Sequence, residues 1–180
     1  MRFAAFFAFV VLSILLKLST TVRADDPTSE ARDAFRKGAD LAKDEQWNGA
    51  LVAFERSAAL VPHPYTTFNI GVCERALGHY IRARAAFASV NGSADLPELA
   101  RAQAEAMLKE AKGLIATFDV TVDPADATLV VDGAAKTLGA AHASIELDPG
   151  HHVFTLQRDG YADAVIARDV RPSEHATLAL

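Results

Sequence analysis

Apolar residues follow one spacing in the first part of this chain and another in the second. Across residues 28–114 they recur every three or four positions, which is typical of helices with one buried face. Across residues 115–180 they alternate with polar residues, as in Phe118, Val120 and Val122, which predicts β-strands. The pattern therefore predicts an α+β protein with an N-terminal helical module and a C-terminal β module.

Five helices are predicted in the helical module. Their expected spans are Thr28–Asp44, Trp47 to just before Pro62, Pro64–Leu77, Tyr80–Val90 and Leu96–Leu114. Thr28 or Ser29 is expected to cap the first helix, and Asp95 the fifth. Pro62 is expected to end the second, because proline has no amide hydrogen and its ring clashes with the preceding turn.

One motif occurs twice in the helical module. Its first copy is Phe35, Gly38, Trp47, Ala50, Ala53 and Phe54, and 33 positions later the chain reads Phe68, Gly71, Tyr80, Ala83, Ala86 and Phe87. Repeats of this length mark stacked helical hairpins, in which small residues let two helices approach and aromatic residues fill the space between them. The first four helices are therefore predicted to form two hairpins, and the fifth to cap the stack.

The repeated residues resemble the tetratricopeptide repeat. Gly38, Trp47, Ala50, Phe54 and Pro62 match its small, aromatic and proline positions. The second copy departs from the pattern at one place, because an aspartate stands where the closing proline would be. The resemblance implies a protein-binding module whose first helix in each hairpin lines a concave groove.

Turn sequences divide the β module into about six short strands. These turns are Asp132-Gly133, Pro149-Gly150, Asp159-Gly160 and Pro172-Ser173. Short strands at this spacing predict a small antiparallel β-sandwich or barrel.

The order of the turns is similar to that of the PEGA domain of bacterial envelope and surface proteins. Val131-Asp132-Gly133, Asp148 to Val153 and Gly160-Tyr161 match its pattern, whereas Pro124 to Ala127 keeps only the first and last residues of the motif that names the family. The resemblance covers Phe118–Leu180. It implies a β-sandwich used in adhesion or envelope association, with no known chemistry.

Residues 1–24 are typical of a secretory signal. Arg2 precedes an apolar stretch over residues 3–16, and Val22-Arg23-Ala24 has small residues where a signal peptidase reads them. Cleavage after Ala24 would place the protein in the periplasm or outside the cell. The alternative is a membrane anchor formed by residues 3–16, although this stretch is shorter than the ~20 residues that span a bilayer.

Composition excludes several kinds of partner and scaffold. The formal net charge of −5 and the pI near 5.6 argue against nucleic acid, which attracts basic surfaces. Cys73 is the only cysteine, so no disulfide can form within the chain and no cysteine-based zinc cluster is available. Its place beside Gly71 in a helix indicates a small buried residue rather than a nucleophile.

No motif predicts catalysis, and we expect neither an enzyme nor a cofactor. The chain has no nucleophile elbow, phosphate loop, dinucleotide fingerprint or His-Glu-x-x-His pair. His142, His151 and His152 are one group that suggests a metal, and Asp119, Asp123, Asp126 and Asp132 are another, although the aspartates are not spaced as in a calcium loop. Adjacent strand residues point to opposite faces, so His151 and His152 are poorly placed to chelate together, and no metal site is predicted.

The candidate partner-binding residues lie on the helices that would line the groove. They are Arg32, Tyr65, Asn69 and Arg75. Arginine can bind a carboxylate through two parallel hydrogen bonds, and asparagine can form hydrogen bonds with an extended peptide backbone. An acidic or C-terminal peptide is therefore the predicted ligand, and the alternative is that these side chains only solvate an exposed helix face.

The sequence thus predicts a non-enzymatic scaffold protein of the bacterial cell envelope that binds a protein through the helical groove. One alternative is a surface adhesin whose β module binds cell-wall glycan or a protein lattice. Another is a metal-binding protein that uses His142, His151 and His152 of the β module. The sequence does not indicate the oligomeric state.

Overall fold

The computed structural model describes residues 26–136 and 141–180. The helices are α1 Pro27–Lys43, α2 Trp47–Leu60, α3 Pro64–Ala76, α4 Tyr80–Val90 and α5 Glu98–Leu114. The strands are β1 Ala116–Thr121, β2 Thr128–Val131, β3 Ala134–Lys136, β4 His142–Leu147, β5 Gly150–Gln157, β6 Ala164–Val170 and β7 His175–Ala179. The predicted α+β class is confirmed, with five helices in the N-terminal part and two sheets in the C-terminal part.

The predicted secretory signal lies outside the described residues. Among the helices of 26–136 and 141–180, none has the length and apolar character needed to span a membrane.

The repeated glycine and phenylalanine explain how each helical hairpin closes. A Cβ atom added at Gly38 would lie 2.8 Å from a ring carbon of Phe54, and one added at Gly71 would lie 2.7 Å from a ring carbon of Phe87. Real Cβ atoms do not approach a ring that closely, so only glycine lets the second helix place its aromatic side chain against the first. Both rings are fully or almost fully buried. The 33-residue repeat therefore encodes the same helix contact twice.

Two helices begin at residues other than those predicted, and proline is the reason in both. Pro27 occupies the first helical position of α1, and the carboxylate of Asp26 accepts the N–H of Thr28 at 3.1 Å, so neither Thr28 nor Ser29 is the cap. Helix α5 starts at Glu98 with Pro97 as its N-cap, and Asp95 gives it no cap hydrogen bond.

Leu96 was expected in α5 but precedes a proline, which disfavours helical backbone. It lies in the core between α4 and α5, where it is 1 % exposed.

The β module has one three-stranded and one four-stranded sheet. Their strand orders are β4-β1-β7 and β3-β2-β5-β6. All neighbouring pairs are antiparallel except β1 and β7, which are parallel. The predicted all-antiparallel arrangement is therefore wrong at this pair, since the alternation of residues predicts which face of a strand is buried but not the direction of its neighbour.

Side chains from both sheets form one buried core. Phe118 of β1 and Phe154 of β5 are fully buried, with ring centroids 6.2 Å apart. The buried members of this cluster are Ala116, Phe118, Val120, Val122, Leu129, Val131, Ile145, Leu147, Phe154 and Val170. The two sheets thus pack face to face, as in the predicted sandwich.

Polar contacts join the two modules along α4. The residue before α4 supplies no side-chain cap, and Asp148 of the β4–β5 turn accepts the Ile81 N–H at 2.8 Å instead. Arg84 donates two hydrogen bonds to the Glu146 carboxylate, at 2.6 and 2.5 Å. Near the chain connection, the Ser173 N–H donates to the Leu114 carbonyl at 3.1 Å.

The Arg84 hydrogen bond, more than its charge, lowers the pKa of Glu146 below the ordinary carboxyl value. A lowered carboxyl pKa stabilises the folded chain above the unfolded value, and this stabilisation is lost as the pH falls through the folded value. The Arg84–Glu146 contact between the two modules therefore becomes weaker as the pH falls.

Candidate functional site

An open, largely apolar pocket lies where α1 meets the α2–α3 connection. Its volume is about 360 Å³. It is lined by Thr28, Ala31, Arg32, Phe35, Ser57, Val61, His63, Tyr65 and Thr66. Two of the four predicted partner-binding residues, Arg32 and Tyr65, thus border the same pocket.

Aromatic rings form a continuous row beneath and beside this pocket. The centroid of Phe35 lies 5.3 Å from that of Phe54 and 5.8 Å from that of Tyr65. Tyr65 is stacked on Phe68 at 6.1 Å, and Phe68 lies 6.0 Å from Phe87. Tyr65, at 38 % exposed, is the most exposed ring of this row, and the buried rings of the two hairpin cores lie behind it.

Two hydrogen bonds hold the pocket walls in place. Ser57 is buried in α2 and donates its hydroxyl to the Ala31 carbonyl at 2.9 Å, which fixes α2 against α1. His63 accepts the Tyr65 N–H through Nδ1 at 3.1 Å and so caps α3, while Pro64 takes the first helical position. Arg32, in the second turn of α1, and Tyr65, in the first turn of α3, therefore project from helices rather than from a loop.

Arg32 is the positively charged group at the pocket. Its side chain is exposed, and within residues 26–136 and 141–180 it makes no hydrogen bond or salt bridge. A guanidinium in this state keeps all five of its donors for an incoming acceptor.

Asn69 and Arg75 lie farther along α3 and are already engaged. The Asn69 side chain donates to the Tyr65 carbonyl at 2.7 Å, within its own helix. Arg75 makes a two-pronged salt bridge with Glu110 of α5, at 2.9 and 2.7 Å, and this hydrogen bonding raises the Arg75 pKa. The structure thus brings Arg32 and Tyr65 together at the pocket and ties Arg75 to the fifth helix.

The lone cysteine is fully buried in α3, as predicted from its place beside Gly71. Burial, helped by the neighbouring Glu74 carboxylate, raises the pKa of the Cys73 thiol to about 11. A thiol that stays protonated at neutral pH is a poor nucleophile and a poor metal ligand. Glu74 is itself buried and is paired with His79 at 2.7 Å and Arg82 at 3.1 Å.

The histidines of the β module have separate partners. His151 contacts Asp169 at 2.9 Å, whereas His152 contacts the Asp132 carboxylate at 2.6 Å and the Asp148 carbonyl at 2.7 Å. His142 lies on β4, in the other sheet. In the described part of the chain, no three His, Cys, Asp or Glu side chains are grouped to hold a metal ion.

A second pocket, of about 580 Å³, lies beside the loop that connects β5 to β6. The sequence did not predict it. Its lining residues are Asp126, Thr128, Gln157, Arg158, Asp159, Tyr161 and Asp163. The Arg158 guanidinium is bonded to Asp126 at 3.1 Å and lies 4.6 Å from the Tyr161 ring centroid. Tyr161 is 67 % exposed, so much of its ring surface is accessible beside a set of oxygen acceptors.

No protein-family model and no curated protein matches this chain.

Proposed function

We propose that the protein is a non-enzymatic binding protein whose helical module captures the C-terminal end of an extended peptide. The observation that carries this proposal is the exposed Arg32 guanidinium at the edge of an apolar pocket that contains Phe35 and Tyr65. A terminal carboxylate would pair with Arg32 through two hydrogen bonds. The last apolar side chain of the peptide would lie on the Tyr65 ring and against Val61.

The resemblance of the repeated residues to the tetratricopeptide repeat supports a peptide ligand. In that family the first helix of each hairpin lines the groove; under this proposal those helices would be α1 and α3, which carry Arg32 and Tyr65. The groove is short, because two hairpins and one further helix build it. We therefore expect modest affinity, with a Kd on the order of 10 μM or weaker for an isolated peptide.

The proposed setting is the bacterial cell envelope, after removal of residues 1–24. The signal-like N-terminal sequence and the similarity of the β module to the PEGA domain support it. In this proposal the β module holds the helical module near the envelope while the groove binds the partner protein.

Peptide titrations test the groove directly. The protein is expressed from its full-length coding sequence and titrated into a fluorescent hexapeptide that ends in leucine with a free carboxylate. The same peptide with a C-terminal amide should bind about tenfold more weakly or worse, because a hydrogen bond to a charged group contributes about 1.5–3 kcal/mol. Arg32→Glu should weaken binding of the acid peptide at least as much.

Lys37→Glu is the matched control for Arg32→Glu. Lys37 lies on α1 but borders a different surface, next to Gly49 and Val52, and the substitution changes the charge by the same amount. Equal affinities of the Arg32→Glu and Lys37→Glu variants would remove the pocket as the carboxylate site. Arg75→Glu is unsuitable because it would break the salt bridge to Glu110.

A second candidate function is saccharide binding by the β module. The pocket at Tyr161 favours it, because carboxylate, amide and hydroxyl oxygens surround an exposed ring, and sugars combine hydroxyl donors with an apolar face. Titration with a peptidoglycan-derived tetrasaccharide is expected to give weak binding that Tyr161→Ala removes.

Tyr65→Ala and Tyr161→Ala form a reciprocal pair of variants. The first should abolish peptide binding and leave saccharide binding unchanged, and the second should do the reverse. Saccharide binding that survives Tyr161→Ala would exclude this pocket.

A further inference from the structure

Strand β6 forms one edge of the four-stranded sheet. It pairs with β5 over Ala164–Val170, and no strand of the described residues pairs with its other edge. The backbone N–H and C=O groups of that edge therefore lack a partner strand. An open edge of this kind is a template for pairing with another chain.

The middle of this edge is apolar and exposed. Val165 is 61 % exposed, Ile166 is 41 % exposed, and Ala164 and Ala167 on either side of them are exposed as well. Apolar surface on an unpaired edge is uncommon in proteins that remain monomeric, since it promotes association.

The other sheet edges carry the usual protection against association. Strand β3 has only three residues and ends in Lys136. Strand β4 is held to the helical module by the Glu146–Arg84 pair. Strand β7 begins with His175 and has Thr177 at its centre, both exposed. Only β6, among the described edges, is long and apolar without a cover.

Side-chain facing restricts how two copies of β6 can pair. Opposite residues of antiparallel strands lie on the same face of the sheet, and successive residues alternate between faces. A two-fold axis perpendicular to the sheet leaves every side chain on the same face of the combined sheet in both copies. Residues that face each other must therefore both be odd-numbered or both even-numbered.

Charge then distinguishes the two registers that centre the exposed apolar residues Val165 and Ile166. With Val165 on the axis, it faces Val165 of the partner subunit, and Ala164 faces Ile166 of the partner subunit. Asp163 then faces Ala167 of the partner subunit, so no like charges lie opposite each other. With Ile166 on the axis, Asp163 would face Asp169 of the partner subunit, and two carboxylates directly opposite destabilise a strand pair.

We propose that the protein forms a symmetric dimer through antiparallel pairing of β6 with β6 of a second copy, with Val165 at the two-fold axis. The two four-stranded sheets then become one eight-stranded sheet. The interface is isologous, because the same surface of each copy contributes to it. The peptide groove at Tyr65 lies on the helical module, and the proposal does not depend on it.

Cross-linking tests the register. In a dimer of this geometry two cysteines at position 165 would have Cα atoms about 4.5–5.5 Å apart, within the range that a disulfide bridges. Cys73 is buried, so the Val165→Cys variant gains its one accessible thiol at the proposed axis. Mild oxidation of the protein expressed from its full-length coding sequence should convert most of it to a covalent dimer.

Val52→Cys is the matched control, because Val52 is similarly exposed, at 66 %, but lies on α2. It should form little covalent dimer at the same concentration. Equal cross-linking of the two variants would overturn the register.

Sedimentation equilibrium tests the dimer itself without any cysteine. The unmodified protein should associate, and Val165→Lys, which sets two ammonium groups against each other, should weaken the dimer at least tenfold, whereas Val52→Lys should not. A protein that stays monomeric at several hundred micromolar, or a dimer that Val165→Lys leaves unchanged, would overturn the proposal.

Discussion

Replacing Phe54 with alanine is expected to lower the free energy of unfolding of the helical module by about 3–5 kcal/mol. Phe54 is 1 % exposed, its ring lies against the bare backbone of Gly38, and it forms an edge-on contact with Phe35. Alanine would leave a cavity that Gly38 has no side chain to fill. Urea unfolding followed by far-ultraviolet circular dichroism measures the loss.

Val52→Ala on the same helix provides the control for this prediction. Val52 is 66 % exposed, so its truncation should change stability by no more than about 0.5 kcal/mol. Trp47→Ala should fall between the two, since Trp47 is only partly buried at the first position of α2. A Phe54→Ala variant as stable as Val52→Ala would mean that the Gly38–Phe54 contact does not hold the hairpin together.

The helices of the helical module could be predicted closely because residues near each helix end in the sequence determine where the helix begins and ends. Proline, glycine and helical periodicity set the ends of α2, α3 and α4 to within one residue. Helix α5 begins two residues later than its sequence predicts, because Pro97 disfavours helical backbone at Leu96 although Asp95 is a residue type that commonly caps helices. The repeat also indicated which glycine meets which phenylalanine.

Contacts between residues far apart in the sequence could not be predicted. Nothing near Arg75 indicates that Glu110 of α5 will lie opposite it, and nothing near α4 indicates that Asp148 will cap it. The parallel pairing of β1 with β7 was missed for the same reason.

The candidate site was predicted in part. Arg32 and Tyr65 border one pocket, whereas Asn69 and Arg75 are bonded to other residues. The pocket at Tyr161 was missed, since it forms from two loops, around Asp126 and around Asp159, that have no periodic pattern.

Replacing Phe118 with alanine is expected to destabilise the β module by about 3–5 kcal/mol. Phe118 is fully buried between the two sheets, next to Phe154 and beneath the Arg168 guanidinium, whose carbon lies 4.9 Å from the ring centroid. Asp119→Ala, on the exposed face of the same strand, is the matched control and should have little effect.

The Phe118→Ala variant should leave the helical module folded. No hydrophobic cluster of the described residues includes side chains from both modules. Their contacts are polar, and a partly exposed ion pair such as Arg84–Glu146 contributes about 0–1 kcal/mol. This coupling is smaller than the expected loss in the β core, so the two modules should unfold in separate transitions.

Trp47 makes the two transitions distinguishable. It is the only tryptophan and it lies in the helical module, so its fluorescence reports that module alone, while calorimetry reports both. Phe118→Ala should lower the midpoint of only one calorimetric transition, the one at which the Trp47 fluorescence does not change. A Trp47 midpoint that falls by the same amount as the β transition would show that the two modules unfold as one cooperative unit, with no energetic boundary at the α5–β1 connection near Leu114.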